Sequence, residues 1–253
     1  MRLRTELERV GLESRWLRKH PLRDHHLDST WWAPRSRGWW IAVLFAIGST
    51  LFALGALPAY ASAAGPSATA VTFFVGSIFF TSAATLQYRE GVDAVQAARG
   101  EHRTGRRWLV WAPRHLGWAA CAVQLAGTIW FNISTGHAIQ TNLSAAAADA
   151  RIWRPDALGS IAFLVASTLA WVEVCGGGWA WRPRSLPWLI TALNLVGSVF
   201  FGISAVASYV VPATDSLRNV ERSNLGTFAG ALCFLAGAVL LLPERVAEPE
   251  GAS

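Results

Sequence analysis

Trp181-Arg182-Pro183-Arg184-Ser185-Leu186-Pro187-Trp188 opens onto a run that carries no charged residue until Asp215. Its apolar part, residues 188–211, is 24 residues long. A helix rises about 1.5 Å per residue and a bilayer's hydrocarbon core is about 30 Å thick, so about 20 such residues cross it. Five more runs have the same character: Trp39–Leu57, Ala68–Leu86, Gly117–Ile139, Ala157–Cys175 and Leu225–Leu242. The expectation is an all-α membrane protein with six transmembrane helices. Composition agrees, at 53% hydrophobic and 15% charged, against about 25% charged in soluble domains.

The opening octapeptide recurs. Trp32-Ala33-Pro34-Arg35-Ser36-Arg37-Gly38-Trp39 and Trp111-Ala112-Pro113-Arg114-His115-Leu116-Gly117-Trp118 share its pattern, Trp-x-Pro-Arg-x-x-(Gly/Pro)-Trp. Nine residues past the second Trp stands Gly followed by Ser or Thr, and a Phe follows the Gly by four: Gly48-Ser49 with Phe52, Gly127-Thr128 with Phe131, Gly197-Ser198 with Phe201. Chance would supply the core of one such cassette on the order of 0.003 times in the chain. Three extended copies indicate a duplicated unit, a helical hairpin. The second arms are aligned through Phe73-Phe74-Val75-Gly76-Ser77, Phe163-Leu164-Val165-Ala166-Ser167 and Phe234-Leu235-Ala236-Gly237-Ala238. A competing register sets Leu158-Gly159-Ser160 against Leu225-Gly226-Thr227. Three hairpins of one orientation imply a pseudo-threefold axis along the membrane normal.

The expected organisation is a segment 1–31 containing an interfacial amphipathic helix over residues 2–19, hairpins at 32–88, 111–180 and 181–244, a basic loop at 89–110, and a tail at 245–253. Lys and Arg number 22, and eighteen of them lie on one side of the six runs. The excess of Lys and Arg on cytoplasmic loops then places both termini in the cytoplasm, in a bacterial inner membrane. The net charge of +6 thus reads as headgroup anchoring. Nucleic acid is not expected as a partner.

Within each cassette, Pro suits the first helical turn, where its missing N–H is not needed. Arg35, Arg114 and Arg184 are candidate anchors for anionic headgroups, with Trp39, Trp118 and Trp188 at interface depth. In the last run Gly226, Gly230, Cys233 and Gly237 share one helical seam that contains Gly-x-x-x-Gly, suited to close helix packing. Polar side chains inside the spans are costly and are candidates for function. They are Gln124, Asn132, His137, Glu173 and Asn194. Gln124 and Asn194 stand at the same cassette position, where the first copy has Phe45.

Catalytic and cofactor signatures are missing from the pattern. No nucleophile–base pair and no phosphate-binding glycine loop occurs. His137 is the one His in a span, and a bis-His haem needs two. Asp24-His25-His26-Leu27-Asp28 reads as a solvated linker before a metal site. Cys121, Cys175 and Cys233 show no ligand spacing. No cofactor and no enzyme activity is expected.

The Gly-Ser/Thr-x-x-Phe arm, and Asn224-Leu225-Gly226-Thr227 through Cys233-Phe234-Leu235-Ala236-Gly237-Ala238 to Pro243-Glu244, resemble the YrhK-like family of small bacterial membrane hairpins. The resemblance is best over residues 188–244. It implies a membrane hairpin and carries no catalytic residue. The expected function is a non-catalytic module that binds lipid or a partner, with a second copy of the chain as one candidate partner. The alternative is a path for a small solute or ion along the pseudo-threefold axis, with Gln124, Asn132 and Asn194 in a continuous polar cavity.

Overall fold

A computed structural model describes residues 32–100, 108–140, 142–178, 180–211 and 216–246. The expected interfacial helix at 2–19 and the His-Asp linker lie outside the described residues. The helices are α1 (Arg37–Ala56), α2 (Pro58–Ala64), α3 (Pro66–Ala98), α4 (Leu116–Ala138), α5 (Ala145–Ala148), α6 (Arg154–Val174), α7 (Leu186–Ala207) and α8 (Val220–Val246). A π-helical turn, Asp149–Trp153, joins α5 to α6. Two short strands, β1 (Val210–Val211) and β2 (Ser216–Leu217), pair antiparallel before α8. Six helices are long and apolar enough to cross a membrane, so this is the architecture of a multi-pass membrane protein.

The starts of α1, α4 and α7 are set by one local device. In each cassette a tight turn closes, with Ser36 N–H on Ala33 C=O, His115 N–H on Ala112 C=O and Ser185 N–H on Arg182 C=O, all at 2.9 Å. Proline presets φ at the second position of such a turn, and these are Pro34, Pro113 and Pro183. The cassette's first Trp then folds edge-on against its second: Trp32–Trp39 at 5.1 Å, Trp111–Trp118 at 5.7 Å and Trp181–Trp188 at 5.0 Å. Elsewhere Pro58 and Pro66 each open a helix, and between them Gly65 takes φ +83°. That backbone conformation is cheap only for glycine.

The six long helices form a closed ring in chain order. α1 packs on α3, α3 on α4, α4 on α6, α6 on α7, α7 on α8, and α8 returns to α1. In a bilayer, apolar burial adds little drive between helices, so close packing and interhelical hydrogen bonds hold the ring. Polar links cross the seams: Arg37–Asp93 (2.6 Å) between α1 and α3, Ser77–Thr135 (2.9 Å) and Asn132–Thr81 (2.8 Å) between α3 and α4, Ser167–Ser198 (2.7 Å) between α6 and α7, and Ser204–Thr227 (2.7 Å) between α7 and α8.

Two boundaries differ from expectation. The loop placed at 89–110 begins as helix, because α3 continues to Ala98 and buries Val92 and Val95 against Trp118. The run expected to stay helical to Val211 stops at Ala207 and turns into the β1–β2 ladder.

Candidate functional site

The two long helices of each hairpin meet through a reciprocal Gly–Phe fit. A Cβ on Gly48 would lie 2.7 Å from Phe80, and one on Gly76 would lie 2.9 Å from Phe52. Gly197 faces Phe234 at 2.9 Å and Gly230 faces Phe201 at 3.0 Å; Gly159 faces Phe131 at 3.2 Å and Gly127 faces Phe163 at 3.6 Å. So all six helices carry Gly-x-x-x-Phe, and the second arms align as Gly76–Phe80, Gly159–Phe163 and Gly230–Phe234. This keeps the match of Phe163 with Phe234 read from the sequence, and corrects the first hairpin's place in that register and the competing register as a whole. Phe163 matches Phe80, two helical turns beyond Phe73, and Gly159 matches Gly230, one turn beyond Gly226.

The six phenylalanines close the ring's axis in two triangles. Phe52, Phe131 and Phe201 have centroids 6.0–6.4 Å apart. Phe80, Phe163 and Phe234 are 5.6–6.3 Å apart. Rings of the same pair lie at 5.5, 5.1 and 5.3 Å. The void left among them is about 10 Å³, at the lower limit for a single water.

A vestibule of about 220 Å³ opens below this plug, at the end where α4 and α7 begin and α6 and α8 finish. Seven residues, two helical turns, separate the plug from its polar ring. On α1, α4 and α7 those positions are Phe45, Gln124 and Asn194; on α3, α6 and α8 they are Gln87, Ala170 and Leu241; all six line the space. The equivalence noted for Gln124 and Asn194 thus becomes a shared site. Gln87 was missed, since it sits just past an apolar run. Its Oε1 is buried without a hydrogen-bond partner.

Among the described residues Glu173 is the one charged residue lining the vestibule, and it is exposed at its mouth. The Gly117 backbone N–H is bonded to its carboxylate, and His115 acts on it electrostatically. A Cβ at Gly117 would stand 2.8 Å from Glu173 Oε1, so the glycine seats the carboxylate. Glu173 lies ten residues past Phe163. Glu90 and Glu244 stand at the same distance past Phe80 and Phe234, and Glu90 joins the set only once Phe80 replaces Phe73 in the register.

The remaining sequence candidates fall elsewhere. Asn132 lies outside the vestibule and donates through Nδ2 to Thr81 Oγ1. His137 Nδ1 bonds its own helix at Ile133 C=O, 2.8 Å away, near the far end of α4. A continuous polar cavity through Gln124, Asn132 and Asn194 is therefore not formed. The expected interface role of Trp39, Trp118 and Trp188 is also corrected. They are buried to 5–6% exposure, because the cassette turn lays the first Trp over them. Trp32, Trp111 and Trp181, at 72–79%, are the exposed partners. Arg35, Arg114 and Arg184 are exposed in the turns. At the opposite end an apolar groove of about 760 Å³ runs between α6 and α7, with Gly202 in its wall and Arg218 and Arg222 at its rim.

No family model matches the chain, and neither does any curated protein or solved structure.

Proposed function

We propose that this chain is a non-catalytic binding module of a bacterial cytoplasmic membrane that holds a small polar ligand in its one-ended vestibule. The observation that carries this reading is a chamber of about 220 Å³ that brings Gln87, Gln124, Asn194 and Glu173 to one space and ends on a six-phenylalanine plug. A pocket with a few converging polar groups on a rigid frame is a binding site by its physics. A void of about 10 Å³ gives a solute no through path, which weighs against the permeation reading. The recurring turns, Gly–Phe fits and polar ring support descent from one duplicated hairpin. The charge bias supports a cytoplasmic vestibule, with Arg35, Arg114 and Arg184 on anionic headgroups around it. Kinship with the YrhK-like hairpins belongs to the same proposal and rests on residues 188–244.

Cys121 lines the vestibule and provides the test. With Cys175 and Cys233 replaced by Ala, a membrane-impermeant methanethiosulfonate should modify Cys121 in inverted membrane vesicles and leave it intact in spheroplasts. Modification from both sides would reveal a through path and sink the closed module. Modification from neither would sink the vestibule, and modification only in spheroplasts would reverse the orientation.

A further inference from the structure

The vestibule's lining narrows the chemistry of what it holds. Among the described residues its single charge is the carboxylate of Glu173, and neither Lys nor Arg is among the lining residues. An anion placed there would meet a like charge and no cation to offset it. Gln87 Oε1 is a buried acceptor with no donor, and such an orphan is costly unless a ligand satisfies it. Asn194 Oδ1 is the next carboxamide acceptor, lying 2.9 Å from where a Gly237 Cβ would be. Gly237 keeps that edge of the chamber free of a side chain. Aromatic rings complete this part of the lining, Phe45 in the same layer as these oxygens and Phe234 in the plug.

A carboxylate, carboxamide oxygens and ring faces together fit one kind of head. A primary ammonium has three N–H donors and no acceptor, and its charge is attracted to aromatic faces as well as to a carboxylate. A bare calcium or magnesium ion fits poorly, since it needs six or more oxygens at about 2.0–2.6 Å, in a space far smaller than this chamber. A cavity of about 150 Å³ accepts benzene. By proportion the vestibule takes roughly nine non-hydrogen atoms.

We infer that the vestibule binds a small organic primary ammonium, with Glu173 and Gln87 receiving its N–H groups and the rings of Phe45 and Phe234 against its stem. This rests on the binding-module reading above. The ammonium is either a free amine or the headgroup of an aminophospholipid.

The test uses the full chain with Cys121 as its only thiol, in nanodiscs of phosphatidylcholine. Aminoethyl methanethiosulfonate should modify Cys121 faster than the sulfonatoethyl reagent, and Glu173→Gln should lower that rate ratio about tenfold or more, the size of a lost unit charge a few ångströms away. Glu173→Asp should keep most of the ratio. Added butylammonium should slow modification of the Glu173 protein, and 1-butanol and butyrate should not. Phosphatidylethanolamine in the nanodisc should give the same protection without added amine if the headgroup is the source. An unchanged ratio in Glu173→Gln, or equal protection by 1-butanol or butyrate, overturns the ammonium assignment while leaving a vestibule that binds something else. If neither reagent reaches Cys121, the assignment and the binding module fall together.

Discussion

Replacing Gly230 by Ala should destabilise the bundle, and replacing Gly202 by Ala should not. Both sites are helical, so each substitution gains about 0.8–1 kcal/mol of helix propensity. At Gly202 nothing lies within 4 Å of an added Cβ, so that gain stands. At Gly230 the new carbon would sit 2.9 Å from the Gly197 carbonyl oxygen and 3.0 Å from Phe201. Backbone cannot rotate out of the way, and Phe201 is held by its neighbours in the plug. Overpacking of this kind costs about 1–3 kcal/mol, and a backbone clash belongs at the upper end. The net expectation is a loss of about 2 kcal/mol for Gly230→Ala against a gain of up to about 1 kcal/mol for Gly202→Ala. Tryptophan fluorescence during titration of mixed micelles with sodium dodecyl sulfate reads both, since the chain has 14 Trp. Two variants of equal stability would refute the Gly–Phe fit as the element that sets the helix spacing.

Three further outcomes are expected. Phe163→Ala removes a side chain that is 2% exposed and in contact with four other plug rings; it should cost about 3–5 kcal/mol and make reconstituted vesicles leaky to small cations, measured by dye dequenching, whereas tight vesicles would mean a second barrier. Trp188→Ala should cost about 3–5 kcal/mol, because its ring packs on Trp171 at 5.1 Å and its N–H donates to Ala180 C=O at 2.7 Å; Trp181→Ala should lose only the edge contact, about 1 kcal/mol, and equal losses in thermal unfolding would contradict the buried and exposed assignments. Asn132→Leu should cost only about 0.6 kcal/mol, the usual worth of an interhelical hydrogen bond, and leave the Cys121 modification rate unchanged; a changed rate would place Asn132 in the vestibule's working.

The six spans were legible because length and charge exclusion are properties of each run alone. The first arms were legible in detail, since Trp, Pro, Arg, Gly and Phe recur there at fixed spacing. The first hairpin's second arm was misregistered against the other two for a geometric reason. Seven residues make nearly two helical turns, so Phe73 and Phe80 fall on almost the same face of α3, and only depth along the axis separates them. The tryptophans show a second limit. Trp181 and Trp188 have identical chemistry, and the turn at Pro183, not the residue type, decides which is covered. Gln124 and Asn194 were found as equivalent positions, but their convergence on one space with Gln87 and Glu173 depends on ring closure between α8 and α1. No local pattern encodes that contact.

The plug also shapes the membrane's electrical profile. Phe131 and Phe201 lie thirteen residues, about 20 Å, beyond Trp118 and Trp188, but only seven and six residues from the last residues of their helices, Ala138 and Ala207. With water admitted up to the plug, the insulating layer along the axis thins to roughly 10 Å near the far surface. A potential across the bilayer then drops mainly over that short dielectric. The local field is about threefold steeper than through the surrounding 30 Å of lipid, and a charge in the vestibule sits almost at the potential of the compartment it entered from.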